Sequence, residues 1–66
     1  MGDRMSWCEI YFRITDKHGT SWVESRMAWD ADRLTESVYE QHEKEDGNAL
    51  RITREQYLQA KAASVL

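Results

Sequence analysis

Ser6-Trp7-Cys8-Glu9-Ile10-Tyr11-Phe12-Arg13-Ile14-Thr15 alternates without a break. Cys8, Ile10, Phe12 and Ile14 form one apolar face, and Trp7, Glu9, Tyr11 and Arg13 a mixed aromatic and charged one. Period two over this length, rich in β-branched and aromatic residues, predicts a strand over 6–15. Asp16-Lys17-His18-Gly19 follows, with Gly19 able to supply the positive φ that closes a hairpin. A second strand is expected over 20–29.

Directly opposed residues of an antiparallel pair share a face, so loop length sets which side chains meet. A four-residue loop pairs Thr15 with Thr20, Phe12 with Val23 and Cys8 with Met27. It also sets Arg13 beside Trp22, Tyr11 beside Glu24 and Glu9 beside Arg26. A slip of one residue mixes the two faces. The expected outer face is therefore Trp7, Tyr11, Arg13, Trp22, Glu24 and Arg26.

Outward from the hairpin, a helix is predicted over 31–46. Asp30 or Asp32 caps it, and Ala31, Leu34, Val38 and His42 trace a narrow stripe toward the sheet. Glu40 and Lys44 stand in the favourable i, i+4 order. Gly47 is the expected left-handed stop. Ala49-Leu50-Arg51-Ile52 reads as a possible short third strand. Thr53-Arg54-Glu55-Gln56 matches a capping box and opens a C-terminal helix over 54–65, with Tyr57, Leu58, Ala62 and Val65 on one side. Alanines 60, 62 and 63 favour that helix. The order ββαβα predicts a single α+β domain over 1–66 with its helices on one sheet face. Residues 1–5 are expected to be a flexible leader, with Met5 an alternative start to Met1. Met1-Gly2-Asp3-Arg4-Met5-Ser6 fits the permissive myristoylation template, but the acid after Gly2 makes the match poor.

Composition narrows the function classes. Only 11 of 66 residues are Leu, Ile, Val or Phe, yet the net charge is just −3, so the pattern of a disordered chain is incomplete. Three Trp, three Tyr and three Met restore enough bulk for a small core. A chain this short buries only about 60% of its unfolded surface, which favours help from a partner or a second copy. No apolar run approaches the ~20 residues of a membrane span, so no membrane role is expected. A single cysteine excludes an internal disulfide framework and suits a reducing, cytoplasmic setting.

Three large aromatics and two arginines on one open face point to binding, because Trp, Tyr and Arg dominate interface hot spots. The leading expectation is a non-catalytic protein-binding module, acting as regulator, inhibitor or complex subunit through those six residues. Burial of this face under the C-terminal helix, as a second core, is the main alternative to any binding role. Homo-oligomerisation through the same face is the second functional reading. Nucleic acid ranks third: bases stack on sheet aromatics, but the pI of about 5.2 and the acids Glu9 and Glu24 oppose phosphate. Glu36, Glu40 and Glu43 form a secondary acidic surface, which as a charge run reads first as a solvated helix face. Arg51, Arg54 and Lys61 make a weaker basic patch.

Nothing in the spacing supports catalysis. Cys8 falls on the apolar face and is expected to be a buried, inert thiol. His18 sits in a turn, and His42 ends a packing stripe as a half-buried side chain. Neither has metal-ligand spacing to Cys8, so no metal, cofactor or small-molecule substrate is expected. A chain of this length also has little room for a pocket of ~300 Å³ or more.

Overall fold

A computed structural model describes residues 7–64. It contains β1 (Cys8–Thr15), β2 (Ser21–Ala28), α1 (Ala31–Lys44), β3 (Asn48–Ile52) and α2 (Arg54–Ser64). The strands form one antiparallel sheet in the order β2-β1-β3. This is the α+β domain the sequence implies: a hairpin, a helix, a third strand and a C-terminal helix. The expected leader, Ser6 and Val65 lie outside the described residues.

The hairpin register differs from the expected one by a single residue, and everything about the site follows from that. Thr15 pairs with Ser21, Arg13 with Val23, Phe12 with Glu24 and Cys8 with Ala28. Asp16 Oδ1 accepts from the backbone N–H groups of His18 (2.8 Å) and Thr20 (3.0 Å). The Asp16 N–H donates to the Thr20 carbonyl at 2.9 Å, and the Gly19 N–H to the Asp16 carbonyl at 3.0 Å. Gly19 takes φ +85°. This is a three-residue loop, Lys17-His18-Gly19, in which a type I turn precedes a left-handed glycine. The expected four-residue loop is therefore overturned by turn chemistry: Asp16 leaves the loop and joins the ladder. Because side chains alternate, the shift carries every β2 residue to the other face.

α1 lies on the even face of β1. Ile10, Phe12, Ile14, Ala28 and Val38 form the buried cluster, with Ala31, Leu34 and Ala49 packed against it. The expected stripe of Ala31, Leu34 and Val38 thus faces the sheet, and His42 is half-buried at its end. Asp30 is the N-cap, its Oδ1 accepting from the Arg33 N–H at 3.1 Å. The helix stops at Lys44, two residues early, in a Schellman closure. The Gly47 N–H reaches the His42 carbonyl (2.9 Å) and the Asp46 N–H the Glu43 carbonyl (3.2 Å). The left-handed residue is Asp46, at φ +63°, and not Gly47 as expected. Gly47 is required for a different reason: a Cβ there would sit 2.4 Å from the Thr15 carbonyl oxygen.

α2 opens on the expected capping box. Thr53 Oγ1 accepts from the Gln56 N–H (3.1 Å), while Gln56 Oε1 accepts from the Thr53 N–H (2.9 Å). It does not join α1. Tyr57 lies against Tyr11 with ring centroids 4.8 Å apart, which places α2 over the odd face. The sheet is covered on both sides, correcting the one-face expectation. Tyr57 and Ala60 turn inward, while Leu58 and Ala62 are exposed. Among the described residues, no helix is long and apolar enough to cross a membrane.

Candidate functional site: an exposed tryptophan pair at the open end of the hairpin

The six residues expected on one open face do not share one. Trp7, Tyr11 and Arg13 lie on the odd face; Trp22, Glu24 and Arg26 project from the even face, alongside Ile10, Phe12 and Ile14. Tyr11 is 9% exposed, buried beneath α2 beside Ile52. Its hydroxyl donates to Glu9 Oε1 at 3.0 Å. Burial first, and then the Glu9 carboxylate, raise that hydroxyl above the ordinary tyrosine value. Tyr11 is thus a core residue, as the alternative of a second core anticipated. Arg13 is exposed and lines a hollow with Val23, Ala60 and Lys61.

On the even face, β2 tolerates charge because it is the edge strand and α1 lies over β1 and β3 instead. Glu24 accepts from Arg26 Nε at 2.7 Å and from Trp22 Nε1 at 3.1 Å. Burial alone would raise the Glu24 carboxyl. The two donors and the Arg26 charge outweigh it and bring the group below its ordinary value. These three residues form a short polar string along β2. Cys8 is exposed, contrary to expectation, because it opens β1 at the end of the sheet. Glu36, Glu40 and Glu43 are all exposed on α1, as a solvated face would be.

The true register brings together residues that the expected one kept apart. Trp7 and Trp29 meet across the open end of the hairpin, centroids 5.3 Å apart and planes at 66°. This edge-to-face geometry is the favoured one for aromatic pairs. Both rings stay largely in solvent, Trp7 at 58% and Trp29 at 49% exposure, and Met27 beside them is 57% exposed. Together with Arg33, Leu34 and Ser37 from the first turns of α1, they line a groove of about 490 Å³. The groove exceeds the expected limit on pocket size because it is open, formed between two elements and not within the core. Trp29 and Met27 were absent from the expected site. The signal was present in the sequence, since Trp7 and Trp29 have the parity to pair once the loop has three residues.

The groove offers apolar walls, the Arg33 guanidinium, the Ser37 hydroxyl and the Asp30 carboxylate that caps α1. Among the described residues, no group of three or more His, Cys, Asp or Glu could hold a metal ion. No protein-family model matches this chain, and it matches no curated protein and no solved structure.

Proposed function

We propose that this domain is a non-catalytic protein-binding module, a regulator, inhibitor or complex subunit, that receives a partner's apolar side chains in the Trp7–Trp29 groove. One observation carries the reading. Two tryptophans packed edge to face and a methionine, each about half exposed or more, converge on a single groove at one end of the sheet. Small monomers rarely leave such bulk uncovered, and Trp is the residue most enriched at hot spots. Met27 adds an adaptable wall, and Arg33 and Ser37 supply a polar rim that orients what binds.

The test is retention of a partner by the tagged chain from a lysate of its source cells, compared with Trp29→Ala. The wild type should retain a protein that the variant loses, with unchanged far-UV spectra. Identical retained proteins for both chains would overturn the assignment of the groove.

A further inference from the structure

The two edges of the sheet are treated differently. On the β3 side, the Arg51 N–H points away from β1, and the Tyr39 hydroxyl of α1 accepts it at 2.9 Å. That edge is short, five residues, and a helix side chain closes it. On the β2 side, the Asp16–Thr20 hydrogen bond sets the parity of the ladder. In an antiparallel pair, hydrogen-bonded and non-hydrogen-bonded residues alternate. The backbone groups of Trp22, Glu24 and Arg26 therefore face β1, and those of Ser21, Val23, Ser25 and Met27 face outward. The same parity requires Arg51 to point outward on β3, as it does. β2 is eight residues long and carries no proline or lysine, two of the devices that blunt an edge, and its charges Glu24 and Arg26 are paired with each other.

We propose that β2 pairs antiparallel with β2 of a second copy of this chain, about a two-fold axis at Ser25. Charge selects both the occupant and the register. With the axis at Ser25, outward Ser25 meets its counterpart and outward Val23 meets Met27 of the second copy. Glu24 then falls opposite Arg26 on both sides of the axis. These are non-hydrogen-bonded positions, where facing side chains approach most closely. Moving the axis to residue 24 sets Glu24 against Glu24, and moving it to residue 26 sets Arg26 against Arg26. The Glu24–Arg26 pair, already 2.7 Å apart within one strand, becomes a four-charge network across the interface. The contact is isologous and closed, joining two three-stranded sheets into one of six strands. It shares Met27 with the Trp7–Trp29 groove but neither tryptophan, and Trp29→Ala leaves the charges of β2 in place, so mass in solution and partner retention test the two proposals separately.

The test is mass in solution by light scattering, at concentrations up to high micromolar. Wild type should run at twice the 7.8 kDa chain mass. Glu24→Arg alone and Arg26→Glu alone, each with a native far-UV spectrum, should run as monomers, because each places four like charges around the axis. An equimolar mixture of the two variants should recover the dimer, since each supplies the charge the other lacks. Amide exchange adds a readout that needs no variant: the Val23 and Ser25 N–H groups should gain protection as concentration rises. A monomeric wild type, which leaves the edge to an extended peptide or to solvent, overturns the proposal. So do single variants that remain dimeric, a mixture that stays monomeric, or Val23 and Ser25 protection independent of concentration.

Discussion

Asp46 and Gly47 show how little a residue's type says about its duty until its neighbours are placed. Both positions follow α1, and glycine is the ordinary choice for the left-handed one. Here Asp46 takes φ +63°, a conformation costing a non-glycine residue about 1 kcal/mol or more. Asp46→Gly should therefore raise stability by about 0.5–1 kcal/mol, partly offset by the freedom glycine gains in the unfolded chain. Gly47→Ala should do the reverse and cost about 2 kcal/mol or more, because its Cβ would meet the Thr15 carbonyl, which is backbone and cannot swing aside. Urea midpoints of the two variants check the pair; a Gly47→Ala protein as stable as wild type would contradict the close approach of α1's end to the hairpin. The sequence made the chain reversal at 45–47 legible but not its division of labour. The crowding at Gly47 comes from Thr15, 32 positions earlier in the chain, and no local pattern records it.

At the scale of elements, the legible features were those written in local chemistry. The alternation of 8–15 made β1, the Asp30 cap and the Leu34/Val38 stripe made α1, and the reciprocal Thr53–Gln56 bonds opened α2. The register was not legible from side-chain character, because Val23 and Met27 look like core residues and Glu24 and Arg26 like surface ones. That judgement assumes a strand buried on one face. β2 is an edge strand whose even face, apart from Ala28 at its end, lies beyond α1, so Glu24 and Arg26 need only each other and Trp22 there. The Asp16 side chain and Gly19, by contrast, fix the loop at three residues. Because Glu24 is held below its ordinary value, its carboxylate stabilises the fold above the unfolded glutamate pKa of about 4.3. That contribution is lost as pH falls through the lower folded value. Glu24→Gln should cost about 0.2–1 kcal/mol at pH 6, and the gap from wild type should close in acid. Denaturation midpoints of both proteins at pH 6 and pH 3 measure this, and a gap that persists at pH 3 would contradict it.

For the whole molecule, the consequence is a sheet with two unequal cores. Phe12, Ile14 and Val38 fill the side under α1; Tyr11, Ile52 and Tyr57 fill the thinner side under α2. The shortage of aliphatic residues is met by tyrosines inside, while Trp7, Trp29 and Met27 stay outside and define the groove. Half of the expected site survives as surface in a different grouping; one residue of loop length moved Trp22, Glu24 and Arg26 to the other face, and α2 covered Tyr11. The surface therefore depends on that length: the three-residue loop sends Trp22, Glu24 and Arg26 to one face and joins Trp7 to Trp29 on the other. A proton NOE spectrum of the folded domain tests it most directly. The three-residue loop predicts Hα–Hα contacts between Arg13 and Val23 and between Tyr11 and Ser25 and ring contacts between Trp7 and Trp29, and α2 over the odd face predicts ring contacts between Tyr11 and Tyr57. Contacts pairing Arg13 with Trp22 and Phe12 with Val23, with no Trp7–Trp29 cross-peak, would contradict it.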